Sequence, residues 1–511
     1  MPQKCTTYSL FLIIALVSAA LTSCSRKVRL SLTGTSLVSK PVDWQAVKSN
    51  ATVYPKENKE AVEQWIDARK DGHKRTDFNL STDAGEIPLT IDASKVPEFE
   101  QFDKIHLARA INVKNGLRID IAHERGLGIP LVGRIPHTDK NNMIPKRGLW
   151  MPITAALVPG IDQAIIQIID PTVSDKFPFS NTPASYDLTA PLALDIRNRQ
   201  KDLQRLKALV NYDKFFPESG INRVFGFSAN KTPVILVHGV FSSSTTWNNT
   251  INELLGDPVV RQNYEFWTYG YPTGAPIPYL SLRLREAVDE VVEYRKARGA
   301  HQKVILIGHS MGGLMSKAIT QSTGHSIWDQ LFTVSPNSLP IPDDQRQLWK
   351  NMFILEPIPE VSRVVFTATP HRGARGASSP PGKVIEKIIR LPENIELAVN
   401  NLNSNHSEYL TPLGKHLLSN FPNSIRHMQK DSEIGKIFEA ISLNPNVRYH
   451  SYIGSKKGLE VPVEEMTDGI VERSSASITG VESERIYKSG HGVHTNWQTI
   501  TDLKRVLGSL Q

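Results

Sequence analysis

Hydrophobic residues in the second half of the chain form short continuous runs that alternate with longer stretches of helical periodicity. Continuous apolar runs are typical of strands buried on both faces, as in a parallel sheet covered by helices. Between the first two runs, Leu284, Val288 and Val291 fall on one side of a predicted helix. The pattern therefore predicts an α/β domain over residues 228–511. Its strand candidates are residues 234–237, 304–307, 364–367 and 447–452.

The hydrophobic pattern is different between residues 57 and 225. Its apolar runs are short, and clusters of proline, glycine and aspartate separate them, which favours strands joined by turns. We predict a smaller, mainly β domain over residues 57–225, and we find no cluster of catalytic residue types in it. The apolar runs are residues 127–132, 149–154 and 164–169.

The N-terminus carries an apolar run at residues 10–17. The run has the character of a signal-peptide segment and is too short to span a bilayer, which takes about 20 residues. It ends in the residues L-T-S-C, which resemble the lipobox of bacterial lipoproteins. The resemblance implies a signal peptide over residues 1–23, a lipid on Cys24 and a polar tether over residues 24–56. The alternative is an ordinary secretory signal in which the cysteine is accidental.

The same segment predicts where the protein is located and whether it can form a disulfide. Ser25, in place of an aspartate, resembles the default sorting signal for the outer membrane of Gram-negative bacteria. We therefore expect an exported, lipid-anchored protein at the outer membrane, if the cell is Gram-negative. Of the two cysteines only Cys24 remains after cleavage, so we expect no disulfide.

The charge of the chain narrows the class of partner. The formal net charge is +8 and the sequence pI is about 9.2. This excess favours anionic partners such as phospholipid head groups, although a solvated basic surface is the simpler explanation. Since the sequence contains neither a long Lys/Arg block nor a nucleic-acid-binding module, we expect no nucleic-acid partner. No feature of the sequence fixes the oligomeric state.

The strongest chemical signal is the sequence G-H-S-M-G-G at residues 308–313, directly after the apolar run 304–307. In the pattern G-x-S-x-G, the serine occupies a tight turn between a strand and a helix, and glycines leave room for neighbouring backbone. The N-terminus of the helix favours negative charge that develops at the serine. We therefore predict Ser310 as a nucleophile. The alternative is a glycine-rich turn with a purely structural role.

With this motif, the second half of the chain resembles the lipase-like branch of the α/β-hydrolase superfamily. Residues 238–241, H-G-V-F, follow the first predicted strand as the oxyanion turn does in bacterial lipases. The resemblance implies that the N–H groups of Val240 and Met311 bind the oxyanion of the reaction. Whether Val240 or Phe241 contributes the first of these groups stays open at this point.

Two further histidines belong to motifs that carry this resemblance. Residues 369–373, T-P-H-R-G, are similar to a turn of lipases and of GPI inositol-deacylase-like hydrolases, where the turn shapes the floor of the site. A role for His371 as the general base is the competing idea. Chain order argues against it, because this fold places the nucleophile first, the acid second and the histidine last. We expect His238 to be structural.

Asp468 and His491 complete the predicted triad. Residues 468–471, D-G-I-V, resemble the acid loop of these lipases, and His491 follows a further predicted strand around residues 485–487. The resemblance implies that Asp468 orients His491, which acts as the base. An ordinary Asp-Gly turn is the alternative for Asp468, and His494 is the rival of His491. The H-x-x-H pair lacks the spacing and the third ligand of a zinc site, so we expect no metal and no cofactor.

Two insertions, residues 324–362 and 374–440, interrupt the alternation of strands and helices. The resemblance implies caps or lids over the site, and extra packing helices are the alternative. The sequence as a whole predicts a membrane-anchored serine hydrolase that cleaves carboxylic esters of lipid-like or other acyl substrates. Acyl transfer, or thioester or amide cleavage, uses the same residues. A non-catalytic lipoprotein scaffold is the remaining alternative.

Overall fold

The computed structural model describes most of the chain from residue 30 onwards. The predicted signal peptide and Cys24 lie outside the described residues. None of the described helices is long and apolar enough to cross a membrane. The described residues are 30–32, 40–49, 55–69, 78–113, 117, 122–138, 143–197, 209–216 and 219–508.

A strand-rich region precedes the α/β domain, as the hydrophobic pattern predicts. Its strands are β1 (Leu30–Leu32), β2 (Phe78–Thr82), β3 (Gly85–Asp92), β4 (Lys104–Leu107), β5 (Ile111–Val113), β6 (His123–Glu124), β7 (Ile129–Ile135), β8 (Leu149–Pro159), β9 (Ala164–Ile169) and β10 (Tyr186–Asp187). Its helices are α1 (Trp44–Ser49), α2 (Pro55–Arg69) and α3 (Thr189–Arg197). The main sheet has the strand order β2-β3-β9-β8-β7-β4. Strand β8, which contains the predicted run 149–154, is buried from Leu149 to Leu157.

Some residues before residue 57, where the predicted β domain begins, belong to the core of the N-terminal region. Val42, Trp44 and Val47 are at most 4% exposed and belong to the core beside the main sheet of the N-terminal region. The backbone N–H of Val42 donates to the carbonyl of Ser81 at 3.0 Å. Part of the segment predicted as a polar tether over residues 24–56 is therefore folded, because its few apolar side chains meet the sheet together.

The second half of the chain forms a sheet flanked by helices, which confirms the predicted α/β class. Its strands are β11 (Gly220–Arg223), β12 (Thr232–Val237), β13 (Tyr264–Gly270), β14 (Val304–His309), β15 (Val361–Thr367), β16 (Arg448–Ser455) and β17 (Ser483–Lys488). The strand order is β11-β13-β12-β14-β15-β16-β17, and every neighbouring pair is parallel except β11 with β13. Each of the four predicted strands lies in or overlaps one of these.

The first helix of this half precedes its strands, and the other helices lie between or after them. They are α4 (Tyr212–Phe215), α5 (Asn248–Leu255), α6 (Pro258–Asn263), α7 (Ile277–Lys296), α8 (Met311–Ala318), α9 (Trp328–Leu331), α10 (Asp343–Phe353), α11 (Arg375–Ser378), α12 (Pro380–Ile388), α13 (Glu393–Asn405), α14 (Pro412–Ser419), α15 (Ser424–His427), α16 (Glu433–Glu439), α17 (Arg473–Ala476) and α18 (Trp497–Gly508).

Alternate residues of the central strands enter two separate cores. Ile235 and Val237 of β12 pack with the apolar residues of α7 and α8. Val234 and Leu236 face the other way and pack with α5 and α18. A strand that is buried on both faces needs apolar residues at every position. That need explains the continuous hydrophobic runs in the sequence.

The sheet of the α/β domain includes a strand that precedes the boundary predicted at residues 225–228. Strand β11 pairs antiparallel with β13, so the sheet of the α/β domain begins at Gly220. Leu192 and Ala193 of α3 also join the apolar core that contains α5. Between these helices, the Thr189 hydroxyl donates to Asn252 Oδ1 at 2.8 Å in a buried position. The N-terminal region therefore covers one face of the α/β domain.

The predicted insertions are helical. Residues 324–362 contain α9 and α10, and residues 374–440 contain α11 to α16. Trp328, Trp349 and Leu402 from these helices are fully buried in the core that also contains α7. The insertions therefore include packing helices, and a moving lid stays a prediction.

Candidate active site

A turn between β14 and α8 holds Ser310 at the carboxyl edge of the sheet. Ser310 has φ 54° and ψ −123°, an uncommon conformation for a residue with a side chain. Its N–H donates to the carbonyl of Thr367 on β15 at 2.9 Å, which fixes the turn to the neighbouring strand. Because α8 begins at Met311, the serine stands at the positive end of that helix.

Two glycines allow α8 to approach the sheet at this turn. A Cβ atom on Gly312 would lie 2.4 Å from the carbonyl oxygen of Val237. One on Gly313 would lie 1.9 Å from Thr369 Oγ1. Since both distances are impossible contacts, any side chain there would push α8, and with it Ser310, away from the strands. The close packing explains the glycines of the sequence motif.

His491 and Asp468 form a hydrogen-bonded pair at the same edge. His491 Nδ1 lies 2.7 Å from Asp468 Oδ2. The other carboxylate oxygen, Oδ1, accepts from the N–H groups of Ile470 and Val471, each at 2.8 Å. The Asp468 side chain is 2% exposed and that of His491 is 15% exposed. Asp468 therefore organises its own turn, as the Asp-Gly alternative expects, and also orients the imidazole.

His309 connects this pair to the serine turn. It immediately precedes Ser310, and its ring centroid lies 4.9 Å from that of His491. Its Nε2 atom donates to the backbone carbonyl of His491 at 2.8 Å. The structure thus brings the turn of Ser310 and the turn of His491 together. Sequence reasoning missed this role, and the only available signal was an imidazole next to the nucleophile.

His494, the rival base, occupies a different environment. It is 1% exposed, and its ring centroid lies 4.1 Å from that of His309 and 4.9 Å from that of Trp247. Its Nε2 atom lies 3.3 Å from the hydroxyl of Thr246. Burial lowers the pKa of His494 to about 3. The Asp468 carboxylate is bonded to His491 and not to His494.

The turn after β12 passes directly beside the serine. A Cβ atom on Gly239 would lie 2.9 Å from Ser310 Cβ. Phe241 has φ 58°, and its N–H donates to Thr273 Oγ1 at 3.3 Å. The N–H of Phe241 is therefore occupied, which favours Val240 as the donor of this turn. Met311 begins α8, and N–H groups in the first turn of a helix have no acceptor within the helix.

The proline-rich loop after β13 braces this turn. The Tyr271 hydroxyl donates to the backbone carbonyl of His238 at 2.5 Å, and the two rings stack with centroids 4.3 Å apart. His238 is 1% exposed and its Nδ1 atom lies 2.9 Å from the carbonyl of Gly239. These contacts agree with a structural role for His238. The sequence alone does not decide whether this loop braces the sheet or lines an acyl pocket.

His371 lies away from the His491–Asp468 pair, in the turn after β15. It is 5% exposed and packs edge-on against Phe366, with centroids 4.7 Å apart. Burial, followed by the charges of Lys317 and Arg372, holds the pKa of His371 well below its usual range. Arg372 Nη1 donates to the carbonyls of Ser474 at 2.8 Å and Ser477 at 2.7 Å. The T-P-H-R-G turn therefore anchors the segment that follows the acid loop.

Within the described part of the chain, no group of three or more His, Cys, Asp or Glu side chains has the arrangement of a metal site. The polar groups at the edge of the sheet are instead a serine, an imidazole–carboxylate pair and backbone N–H groups. This set can deliver a nucleophile, move a proton and bind a developing oxyanion.

The strand order and this elbow define a domain of the α/β-hydrolase class. Residues 234–433 match the model of the alpha/beta hydrolase family, in agreement with the fold of the second half of the chain. No curated protein matches the chain.

The solved structures that match part of the chain include several lipases and esterases. A lipase of Bacillus licheniformis, in mature form, has 15% identity and a TM-score of 0.33, over 55% of this chain and 94% of that one. Phospholipase PlaB of Legionella pneumophila has 13% identity and a TM-score of 0.28, over 49% of this chain and 46% of that one. An esterase of M. tuberculosis has 14% identity and a TM-score of 0.28, over 63% of this chain and 98% of that one. Identities and TM-scores this low carry neither substrate nor mechanism over to this chain.

Proposed function

We propose that this protein is a serine hydrolase that cleaves carboxylic esters, with Ser310 as nucleophile, His491 as base and Asp468 as acid. The observation that carries the proposal is the 2.7 Å hydrogen bond between His491 and Asp468 beside the turn of Ser310. The chain order Ser310, Asp468, His491 is that of α/β-hydrolases. The match of residues 234–433 to the alpha/beta hydrolase family supports the same class of reaction.

The proposed reaction has two stages. As Ser310 Oγ attacks the ester carbonyl, His491 Nε2 accepts the serine proton. The tetrahedral intermediate collapses, the bond to the leaving oxygen breaks, and His491 donates its proton to the alcohol. A water molecule, deprotonated by His491, then attacks the acyl-enzyme. Collapse of this second intermediate releases the acid, and Ser310 regains its proton from His491.

Asp468 has two effects in this scheme. Its bond to Nδ1 selects the tautomer of His491 in which Nε2 is free to accept a proton. Its charge stabilises the imidazolium that forms while the intermediate exists. The two backbone N–H donors on Oδ1 fix the carboxylate, so its second oxygen stays directed at His491.

The N–H groups of Val240 and Met311 are the proposed oxyanion donors. The close approach of Gly239 to Ser310 and the engagement of the Phe241 N–H by Thr273 support this choice over Phe241. Loss of one such donor costs about 3 kcal/mol of transition-state stabilisation.

Anchoring through Cys24 and a lipid-like substrate are further parts of the proposal. The lipobox-like sequence before Cys24 and the net charge of +8 support them. Several acyl chains together anchor a protein stably, whereas one binds only marginally. Mass spectrometry of the mature N-terminus should find lipid on Cys24, and Cys24→Ser should release the protein from membranes. An unmodified Cys24 would contradict the anchor.

Hydrolysis of p-nitrophenyl esters tests the reaction. Ser310→Ala should lower kcat by about 10⁶-fold, the size of the effect in a comparable serine protease. Ser326→Ala, an exposed serine of the first insertion, is the matched control and should leave the rate unchanged. Full activity in Ser310→Ala would overturn the mechanism. An unmutated protein that reacts with a fluorophosphonate probe but hydrolyses no ester would instead overturn the substrate class.

A further inference from the structure

A cavity outside the proposed triad lies along α8. It spans about 460 Å³ of empty space, part of which is open to solvent, and Ser310, Asp468 and His491 do not line it. Its walls come from α8, the turn after β15, α15 and α16. Leu314, Phe438 and Ile441 give it an apolar side.

Several buried polar atoms around this cavity have no hydrogen-bond partner among the described residues. His371 is 5% exposed, and neither of its ring nitrogens has a partner. The same holds for Nδ1 of His427, which is 4% exposed, and for Oε1 of Gln321, which is 1% exposed. Since buried polar groups are almost always hydrogen-bonded, three such residues around one cavity indicate a polar occupant.

The charges at the cavity favour an anion. Lys317 is 5% exposed and donates to the carbonyls of Phe438 at 3.1 Å and Glu439 at 3.3 Å, so one of its three ammonium protons is left. Burial lowers the pKa of Lys317 to about 8, which keeps it protonated at neutral pH. Arg372 Nε lies 2.8 Å from the Glu439 carboxylate. The Glu439 carboxylate is thus paired with Arg372, while Lys317 contacts only backbone carbonyls, so the positive charge of Lys317 has no bonded carboxylate.

We propose that this cavity binds the carboxylate of a small aliphatic acid. The remaining proton of Lys317 and a ring N–H of His371 would donate to the carboxylate, and the apolar side would contact the alkyl chain. Gln321 Oε1 can accept a hydrogen bond from one water or hydroxyl group beside the acid. The inference does not depend on catalysis by Ser310, although ester hydrolysis would release acids of this kind.

Binding to the inactive Ser310→Ala protein tests this proposal apart from any turnover. Calorimetry and thermal unfolding should show saturable binding of sodium hexanoate and a rise in Tm that follows occupancy. Hexanol and sodium chloride at the same concentrations should give neither. Adding Lys317→Met should weaken hexanoate binding at least about tenfold, since a hydrogen bond to a charged group contributes about 1.5–3 kcal/mol. Lys296→Met is the matched control, because that side chain is 61% exposed on α7, and it should bind hexanoate like the parent.

A second variant covers the case in which Lys317→Met does not fold. His371→Phe keeps the charge of the cavity but removes the ring donor and adds volume, and it should also lose hexanoate binding. Unchanged hexanoate binding in folded His371→Phe or Lys317→Met would overturn the proposal, because the acid would then bind elsewhere, the active site included. An equal response to chloride would make the site one for inorganic anions. No response to any probe would mean that water alone occupies the cavity.

Discussion

His491 and His494 lie on the same turn after β17, yet their surroundings differ in solvent exposure and in hydrogen-bond partners. His491 reaches the edge of the sheet, is 15% exposed and is bonded to the Asp468 carboxylate. His494 is buried against Trp247 and His309, and burial lowers its pKa to about 3. An imidazole that stays neutral and has no carboxylate partner cannot serve as a base that becomes charged in the transition state. We therefore expect His491, and not His494, to act as the base.

The two regions are also connected. The ring of His309 contacts both histidines, and its Nε2 atom holds the backbone carbonyl of His491. The buried rings of His309 and His494 therefore support the His491–Asp468 pair. Substitution of a supporting histidine should mainly lower the free energy of unfolding. Substitution of His491 or Asp468 should abolish catalysis.

The largest expected effect is the difference in activity between variants of His491 and variants of His494. His491→Gln should lower kcat for ester hydrolysis by about 10⁶-fold, because glutamine cannot accept the proton of Ser310. His494→Gln should stay within about tenfold of the unmutated rate, since its amide can keep the contact with the Thr246 hydroxyl. Steady-state kinetics on both variants measures the contrast. An inactive His494→Gln beside an active His491→Gln would reverse the assignment of the base.

Asp468→Asn should produce the next largest effect. An asparagine can keep the contact with His491 Nδ1 but favours the wrong tautomer, which costs about 10⁴-fold in kcat in a comparable protease. The matched control is Asp344→Asn, an exposed aspartate in the first turn of α10. Circular dichroism should show both variants folded. A rate for Asp468→Asn within tenfold of the unmutated protein would remove Asp468 from the mechanism.

The smallest expected effect is a pH dependence of stability that comes from the buried histidines. Burial lowers the pKa of His427 and His494 to about 3 from the ordinary value of 6.5. The unfolded chain binds these protons below its ordinary pKa and the folded chain does not, so the free energy of unfolding falls as the pH falls from 6.5 towards 3. Each histidine contributes up to about 1.4 kcal/mol per pH unit in this window.

Denaturant titrations at several pH values measure that slope. His494→Gln should make the acid-side slope shallower by up to about 1.4 kcal/mol per pH unit, because glutamine does not titrate. His416→Gln, at a side chain that is 72% exposed, is the matched control for the same histidine-to-glutamine change. An unchanged slope in His494→Gln would show that this imidazole is not held neutral by burial.

The sequence predicts most of the hydrolase fold because burial on both faces leaves continuous apolar runs, as in β12 and β14. It predicts the elbow because a Cβ atom on Gly312 or Gly313 would lie only 2.4 Å or 1.9 Å from a neighbouring atom, so both positions require glycine. Strand β13 escaped prediction, since its sequence Y-E-F-W-T-Y-G mixes aromatic and polar residues.

Other features depend on contacts between residues distant in the sequence. The choice between Val240 and Phe241 needs the hydrogen bond from Phe241 to Thr273. The burial of Val42, Trp44 and Val47 depends on the sheet against which they pack. The role of His309 needs its bond to the His491 carbonyl, 182 residues away. None of these contacts leaves a periodic or local signal in the chain.

The central claim is that Ser310 is activated by His491, and covalent labelling tests it most directly. The protein should react with a fluorophosphonate probe, and peptide mass spectrometry should find the adduct on Ser310. His491→Gln should lose most of the labelling rate, whereas His494→Gln should label nearly as fast as the unmutated protein. An adduct on another serine, or labelling of Ser310 at an equal rate in His491→Gln, would contradict the account.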